Sequence, residues 1–236
     1  MIKRKTIRKF RKVHRYLGLF LGIQFLMWTI SGMYFSWTDI DEIHGDHFRK
    51  KDMALSSFDN LISPSEIISP LEITSLSLQD IGGTPYYLVN GDQMFNATTG
   101  VLKEEISKDE ALMVVKKNMI PGLRVKEVER ITATGKHHEY RGGPLPAYVI
   151  SFDTAEDIKA YVSIADGSFK TLRHRDWRWF DFLWMTHTMD YEGRDDFNNI
   201  ILRAFSLLGL VTVLSGFTLW YVSSPTIRNR FGKKKM

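Results

Sequence analysis

Two stretches of the chain are long, apolar and almost free of charge: Tyr16 to Trp37, and Ile200 to Val222 with Arg203 near its start. Each has about the 20 residues that an α-helix needs to cross about 30 Å of hydrocarbon. Between them the pattern is polar and its period changes. An acidic, His-containing segment from Asp39 to His47 leads into a Ser- and Pro-rich loop to about Pro70. Thr84–Val89 and Gln93–Phe95 then flank Asn90-Gly91-Asp92, a strong hairpin signal, with a second turn at Thr99-Gly100. Ser107-Lys-Asp-Glu110 has the spacing of a capping box, and Ala111, Val114, Val115 and Met119 follow at helical spacing until Pro121-Gly122. Three strands are expected at Val125–Thr132, Ala147–Phe152 and Lys159–Ile164, the last closing on Asp166-Gly167. Residues 176–191 read as an amphipathic helix whose Trp177, Trp179, Phe180, Leu183, Trp184 and Tyr191 suit the headgroup level of a bilayer. The fold class is therefore membrane α+β, with two transmembrane helices flanking a helix and an antiparallel meander.

The composition averages this contrast away, at 44% hydrophobic residues and a mean hydropathy of −0.19. Charge sharpens it and adds a direction. Residues 1–15 carry eight Lys or Arg and residues 225–236 carry five, with no acid in either tail. Of 32 basic residues 19 remain between the tails with all 27 acids, so the middle is −8 and the tails +13. Lys and Arg resist translocation, so both tails (1–15 and 223–236) are expected in the cytoplasm of a bacterial cell and residues 38–199 in the periplasm. The pI of 9.3 thus reports orientation in an inner membrane, not nucleic-acid binding. The first apolar run is about 21 residues and lacks a small-residue cleavage site, which makes it an uncleaved anchor and not a signal peptide. The absence of cysteine excludes disulfides, thiol chemistry and thiolate-bound metals.

Small residues stripe both spans. Gly18 and Gly22, continued by Thr29 and Gly32, and Gly209, Thr212, Ser215 and Gly216 suit packing of the spans on each other, on a second copy in a homodimer, or on another membrane subunit. A cofactor groove is the alternative use of the same glycines. Gln24, at mid-membrane, is expected to face protein, since an unpaired amide in hydrocarbon is costly.

The segment from Ser107-Lys-Asp-Glu-Ala through Leu145-Pro-Ala-Tyr-Val-Ile150 and Ala160-Tyr-Val-Ser-Ile164 to Asp166-Gly-Ser-Phe169 resembles a PepSY domain (106–172), and 84–105 resembles a partial second copy. His14-Arg-Tyr-Leu-Gly-Leu19 leading to Ser31-Gly32, and Trp177 to Tyr191 before Leu214-Ser-Gly216, are similar to the PepSY-associated transmembrane family. Longer, four-span relatives look like haem-containing reductases of iron–siderophore uptake. The resemblance implies a b-type haem electron-transfer component, or alternatively an accessory or protease-regulating protein that presents its PepSY domain to a partner.

Histidines are the residues on which such chemistry depends. A haem ligand needs a neutral imidazole nitrogen aimed at iron and a surface on which the porphyrin can lie. His14 has Gly18 and Gly22 on its helical face, and either haem or helix packing would use them. His187 lies near Trp184, with Asp190 three residues on as a possible partner for its second nitrogen. Some 22 residues, about 33 Å of helix, separate the levels of the two, so they cannot share one haem in a monomer. A second copy would complete a site at His14, and His44 or His47 a site at His187. His137-His138 read as loop residues. Asp181 and Asp190 read as surface or capping groups, and the motifs of serine hydrolases, zinc peptidases, phosphate-binding loops and dinucleotide folds are missing.

Overall fold

A computed structural model describes residues 4–51, 56–67 and 72–224. The basic residues of 225–236 lie outside the described residues, as do 1–3. In chain order the elements are α1 (Arg4–Trp37), α2 (Ile40–His44), a 3-10 turn (Asp46–Phe48), α3 (Pro64–Ile67), β1 (Leu76–Ile81), β2 (Thr84–Val89), β3 (Gln93–Asn96), β4 (Leu102–Lys103), α4 (Lys108–Asn118), β5 (Val125–Ile131), β6 (Ala147–Phe152), β7 (Lys159–Ser163), β8 (Phe169–Arg173), α5 (Arg175–Thr188) and α6 (Ile200–Ser223). They fall into two units, one of Met1–Trp37 with Asp181–Met236 and one of Thr38–Phe180.

The unit of residues 38–180 holds two four-stranded antiparallel meanders, in the orders β1-β2-β3-β4 and β5-β6-β7-β8. The expected hairpin forms around Asn90 and Gly91, both at positive φ, and sets the register Tyr87↔Phe95 and Val89↔Gln93. The capping box is complete: Ser107 Oγ accepts from Glu110 N, and Glu110 Oε2 accepts from Ser107 N at 2.7 Å. This starts α4, which buries Ala111, Val114, Val115 and Met119 among Tyr86, Leu88 and Met94 of the first sheet and Ile150, Ala160, Val162 and Leu172 of the second. The second sheet's other face carries Val149, Tyr161 and Ala147 under Tyr140 of the 132–146 loop.

Strands β1 and β8 are additions to the sequence reading. Each is an edge strand with one neighbour, and only half of a short edge strand is buried, so its alternation is weak. The first meander is thereby a four-stranded counterpart of the second. Gly45, at φ 76°, ends α2 where a Cβ would collide with Leu172, so glycine is required for the segment after α1 to lie against β8.

In the other unit, α1 and α6 pair antiparallel. Arg11 Nη2 donates to Ser223 Oγ (2.9 Å), His14 meets Ser215 (2.7 Å), the Phe20 and Phe205 rings lie 5.6 Å apart, and Phe25 covers Gly209. Inward positions on α1 are His14, Leu17, Leu21, Gln24, Trp28, Ser31 and Phe35, a seven-residue period that keeps one seam facing its partner. The start of α1 and the end of α6 therefore share one end of the pair. Only 11% of the most apolar window of each helix is buried. Such helices need an apolar solvent, unlike the core helices of a water-soluble fold.

The glycine stripes divide. A Cβ on Gly209 would stand 3.1 Å from the Phe25 ring and one on Gly216 3.3 Å from His14 Cε1, whereas Gly18 and Gly22 have nothing within 4 Å. The second span's stripe packs the helix pair; Gly18 and Gly22 meet no packing neighbour among the described residues. Gly209→Leu should therefore lower the detergent-solubilised protein's unfolding midpoint, at an overpacking cost of about 1–3 kcal/mol. Gly18→Leu with Gly22→Leu should leave the midpoint of the isolated chain unchanged. A drop for that pair equal to the Gly209→Leu drop would refute this division.

Candidate functional site

The end of α5 meets α1 through a set of carbonyl caps. The last carbonyls of a helix have no partner within it, and in an apolar setting each needs a donor. Gln24 Nε2 donates to Thr186 O (3.1 Å) and Trp28 Nε1 to His187 O (2.7 Å). Asn199 Nδ2 donates to Thr188 O (2.9 Å), while its Oδ1 caps the start of α6 by accepting from Leu202 N. Gln24 thus faces protein, as expected of it. Asp190 organises the turn beyond, its carboxylate accepting from the amides of Glu192, Gly193 and Asp196.

These caps hold His187 against α1. Its Nδ1 lies 2.7 Å from Ser31 Oγ, and its ring is set edge-on to Phe35 (5.6 Å, 71°) and 6.4 Å from Trp28. Ser31 is fully buried and gives its hydroxyl proton to Met27 O at 2.7 Å. Ser31 Oγ is thus shared between Met27 O and His187 Nδ1; in the neutral tautomer that donates through Nδ1–H, Nε2 is the unprotonated nitrogen. His14 repeats the device at the other end of the pair. Ser215 Oγ donates to Thr212 O (2.8 Å) and meets His14 Nδ1 (2.7 Å), and Gly216 leaves room for the ring. At both imidazoles Nδ1 meets a serine hydroxyl, and Nε2 takes no part in that contact.

Ser31 and His14 are 17 residues apart on α1, about 26 Å along its axis. The two imidazoles occupy separate levels and cannot meet at one iron, as expected from sequence. Asp190, however, does not orient His187: its oxygens are taken by loop amides, and Ser31 does that work. Asp181 is not a surface group either. It is 5% exposed and forms a short ion pair with Arg194.

His44 and His47 lie in the unit of residues 38–180, both exposed. The His47 ring stacks on Phe48 at 3.9 Å and stands perpendicular to His174 at 5.7 Å. His174 is 1% exposed and meets Ile43 O through Nε2 at 3.0 Å; burial pushes its pKa below the ordinary value. Of the loop pair, His137 is exposed, and His138 Nδ1 accepts from Tyr140 N (3.0 Å). Among the described residues no group of three or more His, Asp or Glu gathers to hold a metal ion.

The residue after that pair makes the densest polar cluster of its unit. Glu139 accepts from Tyr161 Oη (2.6 Å) and from Arg178 Nε (2.6 Å), with Lys159 Nζ at 3.8 Å. Tyr140 stacks flat on Tyr161 at 4.4 Å. Burial pushes the Glu139 carboxyl up, but the bonds from Arg178 and Tyr161 and the two cationic charges outweigh it and hold it below the carboxylate range. Burial and the neighbouring Glu139 push the Tyr161 phenol far up, and burial takes Tyr140 to about 12. A carboxylate that stays ionised between phenols that stay protonated is a structural clamp, not an acid/base pair.

Sequence reasoning placed Ser215 in a packing stripe and Ser31 in a family motif but missed their contacts with the imidazoles, and it missed Glu139. The seam His14, Leu21, Trp28, Phe35 with Leu17, Gln24, Ser31 between is a heptad pattern that marks Ser31 as inward-facing. No local signal marks Glu139, whose partners stand 22 and 39 residues away. No curated protein and no solved structure matches this chain. The model of the PepSY-associated TM region matches residues 1–223, and with its two apolar helices and the meanders between them, the chain belongs to that PepSY-associated transmembrane family.

Proposed function

We propose that this membrane protein is a b-type haem electron-transfer component, of the kind that serves reduction of iron or siderophore substrates, in which the imidazoles of His14 and His187 would each hold a haem. The observation that carries the reading is the shared serine contact. At two levels of the helix pair a serine hydroxyl that is bonded to its own helix meets Nδ1, the kind of contact that would orient an imidazole to ligate through Nε2. The residues fit the group in ligand type. Bound haem would supply one-electron chemistry; the chain's part is to hold each imidazole and, through Phe35, Trp28 and Trp184, to keep the His187 level apolar. Because the two levels are about 26 Å apart, His14 and His187 would not hold one haem together within a monomer, and a partner, either a second copy of this chain or another membrane subunit, would supply a further ligand at the level of His14. The open faces of Gly18 and Gly22 suit close approach of that partner or of a porphyrin. A reduced-minus-oxidised spectrum of protein expressed with ample haem and iron should show an α-band. Its absence, with no Soret absorbance, would end the electron-carrier reading.

The orientation belongs to the same proposal. Arg11 beside Ser223 puts the basic start of α1 at the same end as the close of α6, and the positive-inside bias sends that end to the cytoplasm of an inner membrane. Reporters fused after Met236 should be active only as cytoplasmic reporters, and reporters inserted at Gly91 only as exported ones. An exported C-terminus would overturn the topology.

A further inference from the structure

In the unit of residues 38–180, α4 does not cover its sheet evenly. It packs most closely over β6, β7 and β8 of the second meander and over β1 of the first, and a depression remains between it and β5. The uncovered strip is a trough of about 410 Å3 lined by Leu112, Val115, Met119, Leu123, Val125 and Phe152, among others. Val125 is 41% exposed there. An apolar depression of this kind marks a place where something docks.

Two further observations say what fits it. The trough is bounded by β5, an outer strand that among the described residues pairs only with β6, and an outer strand of this kind offers its outward amides and carbonyls to an added extended chain. The charged residues lining the trough are Lys50 and Lys116, and no carboxylate lines it. Lys50 Nζ spends one donor on Lys116 O at the end of α4, which leaves two. Arg124 and Lys126 flank Val125 in the chain. The rim is cationic over an apolar floor.

We propose that this trough binds an extended segment of a partner polypeptide in which apolar and acidic residues alternate. The apolar side chains fill the floor between α4 and β5, the backbone lies along the outer edge of β5, and the carboxylates face Lys50 and Lys116. The inference is independent of haem, and the spectrum that tests the haem reading does not bear on it.

The test uses the full chain in an uncharged detergent and two fluorescein-labelled heptapeptides, Glu-Leu-Glu-Val-Glu-Leu-Glu and its counterpart with lysine at every acidic position. Fluorescence anisotropy should show saturable, salt-weakened binding of the acidic peptide and at least tenfold weaker binding of the basic one. Val125→Asp, at an exposed strand position that leaves the core intact, should weaken the acidic peptide at least tenfold. Lys50→Glu with Lys116→Glu should do the same and reverse the preference between peptides. Equal binding of both peptides, unchanged affinity in Val125→Asp, or no saturable binding would each overturn the proposal.

Discussion

Replacing Glu139 by Ala should lower the unfolding midpoint of the 38–180 unit by about 6–12 °C, the equivalent of about 2–3 kcal/mol for a unit of this size. The carboxylate joins three elements: the 132–146 loop that bears it, β7 through Tyr161 and Lys159, and the start of α5 through Arg178. Its side chain is 15% exposed and that of Arg178 29%, so removing the anion strands a guanidinium and a phenol that water reaches poorly. Breaking a fully buried pair costs about 3–5 kcal/mol; the partial exposure of Arg178 and its second contact with Asp157 (3.0 Å) reduce this. Glu139→Gln, which keeps an acceptor for Tyr161 but loses the charge, should fall between. The pH dependence follows from the direction of the shift. The folded carboxyl titrates below its ordinary range, so its contribution is complete above the unfolded value of about 4.5 and is lost as pH falls through the lower, folded one. The gap between wild type and Glu139→Ala should be constant from pH 7 to about 5.5 and should close below about 4. Near-ultraviolet circular dichroism during denaturation measures both effects; a gap that widens in acid would show that Glu139 is not held as an anion.

What could be read from the sequence and what could not divide by the distance over which the information is carried. The capping box at Ser107 and the Asn90-Gly91 turn are decided by residues within four positions of each other, and both stand as expected. The two long helices follow from apolar length alone. The partners of the histidines were not legible, because Ser31 and His187 are 156 residues apart and His14 and Ser215 are 201. Asp190 illustrates the failure. Three residues after His187 it was the nearest carboxylate in sequence, but α5 ends at Thr188 and the backbone turns away, so the carboxylate meets the amides of its own turn. Gly18 and Gly22 fail for a related reason: the Gly-x-x-x-Gly spacing states that a backbone can be approached closely, not which neighbour approaches. The stripe of α6 is used by α1, while Gly18 and Gly22 of α1 have no neighbour within 4 Å among the described residues.

The largest effect is expected at the two imidazoles. His14→Ala and His187→Ala should each remove about half of the bound haem, and the double variant all of it, because the two levels are too far apart to share one iron. Neither imidazole contributes to the hydropathy of a span, so membrane insertion and the exported position of Gly91 should be retained in all three variants. The serines separate ligation from packing. Ser31→Ala and Ser215→Ala keep the imidazoles but remove the hydroxyl that meets each Nδ1, and loss of such a supporting bond weakens a metal site about 10–100-fold. They should shift the reduction midpoint of one haem each and lower its retention during purification, where His→Ala removes it outright. If the histidines serve only as interhelical hydrogen-bonding groups, all four variants should instead lower thermal stability by similar small amounts, about 0.6 kcal/mol on the scale of polar pairs between membrane helices, with no change in the visible spectrum. Equal spectra for wild type and the double histidine variant would assign any haem to another protein and leave His14 and His187 as the polar seam of the helix pair.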